Sequence, residues 1–168
     1  DFKVIEFNKE SKKIVVSHTR TFEDGTDEKT SAKPAAGKKG ATGGAGSLQS
    51  QYSNYTSVVP ALNVQVGSTY PLSVQIGTCN GNYSNWTKVF IDWNRDGDFV
   101  DAGENVYASA LGGAYSGSFI VPTTASIGAV RMRIRLTDTA SGANTTPCGV
   151  SSYGEVEDYT LNVVAAGI

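Results

Sequence analysis

The stretch that decides the fold is Val130-Arg131-Met132-Arg133-Ile134-Arg135-Leu136, in which apolar and basic residues alternate strictly. Successive side chains of a β-strand point to opposite faces of a sheet, so this pattern predicts a strand with one buried face and one polar face. The same alternation recurs in residues 62–66, 70–76 and 159–163, with Gly and Pro between the runs. These regularly spaced segments predict an all-β chain folded as an antiparallel β-sandwich, Ig-like or jelly-roll-like.

The distribution of charge divides the 168-residue chain, whose net charge is −2. Residues 1–48 carry nine Lys/Arg against seven Asp/Glu, whereas residues 49–168 carry five against nine. We predict a β-hairpin over residues 1–24, a flexible Gly- and Lys-containing linker over residues 25–48, and the sandwich from residue 49 onward. The charge balance does not indicate a nucleic-acid partner. No apolar run approaches the roughly 18 residues of a membrane span, so we expect no membrane insertion.

An acidic loop follows the predicted strand that ends near residue 91. Asp92-Trp93-Asn94-Arg95-Asp96-Gly97-Asp98 places side-chain oxygens at every second position and glycine at the sixth. Ca²⁺ prefers such oxygen ligands, and the glycine permits the sharp turn around the ion. The EF-hand pattern requires glutamate at the twelfth position, where this chain has Gly103 and places the glutamate one residue later. The predicted Ca²⁺ ligands are Asp92, Asn94, Asp96, Asp98 and Glu104; the alternative is a solvated acidic turn.

Carboxylates also precede the final predicted strand. Alternation sends Glu155 and Glu157 to one face and Asp158 to the other. We predict structural ion pairs between Glu155 and the row formed by Arg131 and Arg133, because arginine and carboxylate groups form bidentate pairs. Glu157 is a candidate remote calcium ligand that replaces the missing twelfth-position glutamate. An anionic glycan bound to the arginine row is a further alternative.

Two cysteines, Cys79 and Cys148, lie far apart in the second segment. We predict a disulfide between them, which removes roughly 4–5 kcal/mol of unfolded-chain entropy in the simple loop-closure model. Two free thiols are the alternative. A disulfide and a calcium loop together favour an extracellular or cell-surface location.

The sequence shows no catalytic arrangement of side chains, but several aromatic residues lie at positions predicted to be turns or loops, where they could contact a ligand. The one histidine, His18, lies outside the predicted sandwich. Ser151-Ser152, near Glu155 and Asp158, has no histidine base within the same module, so we expect that the chain is not an enzyme. The polar loop of residues 79–86 contains Tyr83 and Trp86. Rings of this kind form stacking platforms for sugars, so the loop is the candidate ligand-binding element, and a carbohydrate-binding module is an alternative function.

A series of landmarks runs in order through residues 52–164: Phe90-Ile91-Asp92-Trp93-Asn94-Arg95-Asp96-Gly97-Asp98-Phe99, Ala102-Gly103-Glu104, Phe119-Ile120-Val121-Pro122, Arg131-Met132-Arg133, Pro147-Cys148-Gly149 and Gly154-Glu155-Val156-Glu157-Asp158-Tyr159. Together they resemble the GEVED domain family. The resemblance implies a β-sandwich, calcium, and an accessory, non-catalytic role in secreted or cell-surface bacterial proteins such as proteases and adhesins. For Bacteroidetes-type bacteria it also implies export by type IX secretion. The family's Tyr-Cys opening is absent, and Gln51-Tyr52-Ser53 stands in its place.

The first segment resembles a different family. Residues 2–18 are similar to the last two strands of the OB-fold RNA-binding repeat of the largest ribosomal small-subunit protein. Two strands cannot close a five-stranded barrel, so RNA binding is not carried over. An isolated hairpin is marginally stable, and this one is a candidate for strand addition to a sheet edge.

These observations predict a calcium-stabilised, non-catalytic adhesion or spacer module of an extracellular bacterial protein. Its partner would be a protein, either its parent surface protein or another copy, or a glycan. The third hypothesis is a subunit of an extracellular filament or assembly that uses its N-terminal segment for strand addition.

Overall fold

The structure is a computed structural model that describes residues 2–8, 13–18, 41–42, 52–75, 85–109, 114–138, 141, 145–149 and 154–167. These residues contain eleven β-strands and no helix, so the all-β prediction is confirmed. The strands are β1 (Phe2–Asn8), β2 (Lys13–His18), β3 (Ala41–Thr42), β4 (Tyr52–Asn54), β5 (Leu62–Gln65), β6 (Thr69–Gln75), β7 (Asn85–Ile91), β8 (Asn105–Ala108), β9 (Ala114–Ile120), β10 (Gly128–Asp138) and β11 (Gly154–Val164). Nothing in the described ranges forms a helix long and apolar enough to cross a membrane.

The strands form two sheets that enclose a common core. The first sheet has the order β1-β2-β6-β9, and the second has the order β3-β4-β11-β10-β7-β8, with β5 paired to β11. Buried side chains from both sheets meet in one cluster, which includes Leu72 of β6, Phe119 of β9, Met132 of β10 and Leu161 of β11. Each sheet therefore buries one face against the other, as in a β-sandwich.

Strand β10, which contains the alternating residues 130–136, lies inside the second sheet. It pairs antiparallel with β11 on one side and with β7 on the other, so that Met132 lies between Tyr159 and Ile91. Val130 and Ile134 are buried in the core beside Met132. The basic residues between these positions point to the outer face of the sheet because side chains alternate along a strand.

The sheets are mixed, whereas the alternating pattern of the sequence predicted antiparallel sheets. Strands β4 and β5 each run parallel to β11, and β2 runs parallel to β6. Alternation specifies which face of a strand is buried, and it is the same for parallel and antiparallel neighbours. The direction of pairing therefore depended on the connections and on tertiary packing.

The described parts of the N-terminal segment extend both sheets. Strands β1 and β2 pair antiparallel, and Val15 of β2 lies opposite Ser73 of β6. Within the predicted linker, Ala41 and Thr42 form β3, which pairs parallel with β4. The rest of residues 25–48 lies outside the described residues.

Candidate functional site

The acidic loop connects β7 to β8 and spans residues 92–104. Its two ends are joined by a hydrogen bond from the backbone amide of Ile91 to the carbonyl of Glu104, at 2.9 Å. Arg95, Gly97 and Gly103 adopt positive φ angles of 66°, 96° and 91°. Glycine takes this conformation without a steric penalty, so the two glycines permit the turns that fold the loop back on itself.

Two of the loop carboxylates are buried and hold the loop's own backbone. Asp92 accepts hydrogen bonds from the amides of Arg95 at 2.7 Å and Gly97 at 3.1 Å. Glu104, only 2 % exposed, accepts from the amides of Trp93 at 3.0 Å and Asp101 at 3.3 Å. Burial raises the pKa of Glu104 above its ordinary value, against the opposing effect of these hydrogen bonds.

Three other carboxylates converge on the outside of the loop. Asp96, Asp98 and Asp101 are exposed, and one oxygen from each lies within 4.8 Å of the others. The side-chain amide of Asn94 donates to Asp96 at 2.9 Å and to Asp101 at 2.5 Å. The amide of Asp98 and the side chain of Asn94 lower the pKa of Asp96, since both stabilise the charged form.

This donor set fits a hard divalent cation. The converging groups offer only oxygen ligands, which Ca²⁺ and Mg²⁺ prefer, and they lack the thiolate and imidazole ligands typical of Zn²⁺. The carboxylates repel one another at this separation, and a bound cation would remove that repulsion. Asp96, Asp98 and Asp101 are the groups that would hold it.

The six predicted metal ligands occupy different places in the structure. Asn94, Asp96 and Asp98 lie in the exposed cluster, while Asp92 and Glu104 bind backbone amides within the same loop. For all five of these residues, metal binding stays a prediction. Asp101 was missed because the EF-hand pattern gives it no role. The turn that brings it to the cluster is closed by a hydrogen bond from the amide of Glu104 to the carbonyl of Asp101, at 3.2 Å.

Glu157, the sixth predicted ligand, is not brought to the loop. It lies on β11 opposite Ile134, which in turn lies opposite Val89 of β7. This register separates Glu157 from Asp92 by about 10 Å along the strands and about 10 Å across them. The buried Glu157 carboxylate accepts a hydrogen bond from the Tyr159 hydroxyl at 2.9 Å instead.

Arginine and carboxylate meet on the outer face of the second sheet. The guanidinium of Arg133 donates through Nε and Nη2 to the two carboxylate oxygens of Asp158, at 2.7 and 2.8 Å. Asp158 is fully buried, and it also accepts from the Tyr52 hydroxyl at 2.8 Å. Burial, the largest single effect, would lower the pKa of Arg133, but the hydrogen bonds to Asp158 and the charge of that carboxylate act together with smaller charge effects to raise it. Burial and the hydrogen bond to Asp158 raise the pKa of Tyr52 to about 12.

The acidic partner of the arginines is therefore Asp158 and not the predicted Glu155. Arg133 lies opposite Asp158, whereas Glu155 lies opposite Leu136 on the other face of β11. Glu155 consequently cannot share a face with the arginine row. Arg131 contacts Asp158 more loosely, at 3.8 Å, with a side chain that is 51 % exposed. Alternation alone had placed Asp158 on the correct face, but only the pairing register identified it as the partner.

The segment Gly154-Glu155-Val156-Glu157-Asp158-Tyr159 is a structural framework. Gly154 has a φ of 132°, and a Cβ at this position would overlap the backbone oxygen of Leu136. Burial, assisted by the neighbouring Glu157, raises the pKa of Glu155 to about 10. The ring of Tyr159 stacks on that of Tyr55, with centroids 5.3 Å apart. Each of these residues supports the sheet or its core.

The remaining predicted site residues are only partly covered by the structure. Trp86 lies within strand β7 and is half-buried, so the prediction that it belongs to a loop is wrong. Tyr83 and Cys79 lie outside the described residues. Cys148 has a free, exposed thiol in the structure, with its Sγ 3.6 Å from Nη1 of Arg133. The Cys79–Cys148 disulfide and the sugar-binding role of Tyr83 stay predictions.

Comparisons with known proteins identify the region that contains this site. Residues 86–162 match the family model of the GEVED domain. A solved structure described as "Structure of PbICP-C in complex with falcipain-2" is similar at 13 % sequence identity with a TM-score of 0.36, over 76 % of this chain and 100 % of that chain. Similarity at this level does not extend to function. No curated protein sequence matches the chain.

Proposed function

We propose, on the premise that residues 86–162 match the family model of the GEVED domain, that the chain is a non-catalytic, calcium-stabilised adhesion or spacer module of a secreted or cell-surface bacterial protein. Its role would be to present a rigid β-sandwich within a larger extracellular protein. The partners would be proteins, either the parent surface protein or another copy of the chain.

The observation that carries this proposal is the convergence of Asp96, Asp98 and Asp101 on the outside of the β7–β8 loop. Three exposed carboxylates held within 4.8 Å favour a divalent counterion because no basic side chain among the described residues bonds to them. The loop sits between two strands of the sandwich, so an ion that rigidifies it would stabilise the adjoining strands. That role is structural.

The proposed cation neutralises the cluster and thereby favours the folded loop over open conformations. A ligand that binds only the folded state stabilises the protein in proportion to the logarithm of its concentration. At calcium concentrations about a hundredfold above Kd, the melting temperature should rise by about 5–10 °C relative to chelator. Extracellular calcium would then maintain the module in its rigid form.

The test is calorimetric titration of calcium into chelator-treated protein, combined with thermal unfolding in calcium and in chelator. We expect about one equivalent of binding, lost in Asp96→Asn, and a melting temperature that depends on calcium. Sodium chloride of equal ionic strength serves as the control for charge screening. The absence of binding together with identical melting curves would refute the calcium role.

The proposed extracellular location can also be tested through the two cysteines, because disulfides persist in oxidising surroundings. We propose that Cys79 and Cys148 form a disulfide in the mature protein. Thiol titration under denaturing conditions should then detect no free thiol until a reductant is added. Detection of two thiols in protein purified under oxidising conditions would contradict both the disulfide and this argument for an extracellular location.

Assembly by strand addition is the second candidate function, and the pairing of β2 with β6 favours it. Residues Ile14, Val15 and Val16 lie parallel to Leu72, Ser73 and Val74, so the N-terminal hairpin occupies an edge of the first sheet. The same pairing formed between two copies would link them. Light scattering should then detect mass above that of one chain, and Val15→Pro, which removes a backbone donor from the ladder, should reduce it. A monomer at every concentration would contradict assembly.

A further inference from the structure

Phe99 is an apolar anchor within the acidic loop. It follows Asp98 directly and precedes Asp101 by two residues, yet it is only 6 % exposed. Val100, the next residue, is 76 % exposed, so burial is specific to the phenyl ring. The loop therefore extends its carboxylates into solvent while it fixes one ring on the outer face of the second sheet.

The ring of Phe99 rests on two residues of that face. The centroid of the Phe99 ring lies 4.8 Å from Cζ of Arg133 and 6.2 Å from the centroid of Phe90. A guanidinium at this distance from a ring is attracted by the ring's quadrupole. Phe90 and Arg133 are neighbours in register on β7 and β10, so they form a continuous platform beneath the ring.

Arg133 is itself held rigidly by the sheet and by a neighbouring segment. Both carboxylate oxygens of Asp158 bind its guanidinium, and its Nη1 donates to the carbonyl of Pro147 at 3.1 Å. On another side, the Tyr52 ring lies 5.7 Å from its Cζ. The Phe99 ring therefore packs on a guanidinium that the surrounding residues hold in place.

We infer that the contact of Phe99 with Arg133 positions the acidic loop for cation binding, and that both are positioning residues which do not contact the ion. The inference rests on the proposed cation site. Asp96, Asp98 and Asp101 repel one another, so without an anchor the loop would relax into open conformations in which they diverge. An anchored loop has already lost that freedom before the cation arrives, and the affinity is correspondingly higher.

The experiment compares full-length wild-type protein with Phe99→Leu and Val100→Ala. Phe99→Leu keeps an apolar side chain but removes the ring over the guanidinium. We expect its calcium Kd, measured by calorimetry, to be about three- to tenfold weaker than that of wild type. Val100→Ala changes the adjacent exposed residue and should leave Kd within about twofold, since it lies outside the anchor.

Unfolding in chelator separates positioning from a general loss of stability. A positioning role predicts that the difference in melting temperature between calcium and chelator shrinks in Phe99→Leu, because less binding free energy is available to the folded state. A merely structural role predicts equal lowering of both temperatures and an unchanged Kd. Arg133→Lys, which keeps the charge but loses the planar stacking surface, should weaken Kd in the same direction.

The outcomes distinguish this inference from the proposed function. Calcium binding by the wild type with unchanged Kd in both Phe99→Leu and Arg133→Lys would overturn the positioning role and leave the cation site intact. No binding by the wild type would overturn the cation site and the positioning role with it. Weakened Kd in both variants, with Val100→Ala unchanged, is the supporting result.

Discussion

The guanidinium of Arg133 is bound at both ends of its fork by the carboxylate of Asp158, at 2.7 and 2.8 Å. This pair joins the alternating stretch of β10 to the segment at the start of β11, and it also forms the surface on which Phe99 rests. These two sequence motifs thus share one contact between residues that are 25 positions apart in the chain. The acidic loop and the framework of the sheet are parts of the same structural unit.

Loss of the Asp158 charge should strongly destabilise the protein. In Asp158→Asn the partly buried Arg133 retains its charge without a carboxylate partner. We expect a loss of roughly 2–4 kcal/mol in the free energy of unfolding, measured from urea denaturation curves, because a buried pair has been broken on one side. Arg131→Gln is the control: it removes the looser, exposed contact to the same carboxylate and should change the free energy by less than about 1 kcal/mol. Equal effects would contradict the special role of Arg133.

A side chain at position 154 should prevent normal packing of β11. Gly154→Ala places a Cβ against the backbone oxygen of Leu136 at a φ of 132°, which L-residues rarely adopt. We expect a loss of at least about 3 kcal/mol, or failure to fold, as judged by the melting temperature and circular dichroism. Gly167→Ala is the matched control, since a Cβ at position 167 meets nothing within 4 Å. A stable Gly154→Ala protein would mean that β10 and β11 pair differently.

Neutralising one carboxylate of the exposed cluster should have opposite effects with and without calcium. Asp98→Asn relieves repulsion with Asp96 and Asp101, so in chelator its melting temperature should rise on the order of 2 °C. In calcium the variant should melt below the wild type because it has lost a ligand. Thermal unfolding in the two buffers measures both signs. A variant that is less stable than the wild type in both buffers would contradict repulsion within the cluster.

The stability of the protein should fall as pH rises because of Glu155. Burial raises the pKa of this carboxyl from 4.5 to about 10 in the folded protein. The folded state therefore holds a proton that the unfolded chain releases, and the stabilising contribution is complete below about pH 4.5 and lost progressively toward pH 10. The slope can reach about 1.4 kcal/mol per pH unit.

Glu155→Gln is the test of that dependence. The variant keeps a neutral side chain of similar shape, so its free energy of unfolding should vary less between pH 5 and pH 9 than that of the wild type. It should also be the more stable protein at pH 9. Urea denaturation at several pH values provides the comparison, and parallel pH profiles for the two proteins would exclude Glu155 as the source.

The sequence by itself determined that the chain is built from β-strands and which face of β10 is buried. Val130, Met132 and Ile134 lie in the core because the period of two in their pattern leaves only one apolar face. It also determined the position of the acidic loop, since Gly97 and the alternate oxygen side chains are local features. These conclusions needed only information from residues that are close together in the chain.

Tertiary structure decided the relationships between distant segments. Register made Asp158, and not Glu155, the partner of Arg133, because a shift of one residue exchanges the two faces of β11. The folded loop directs Asp92 and Glu104 to accept hydrogen bonds from backbone amides, and it brings Asp101 into the exposed cluster. Parallel pairing of β4 and β5 with β11 likewise depended on long-range packing. Local patterns specify the orientation of a side chain, but its partner is selected by the free energy of the whole assembled sandwich.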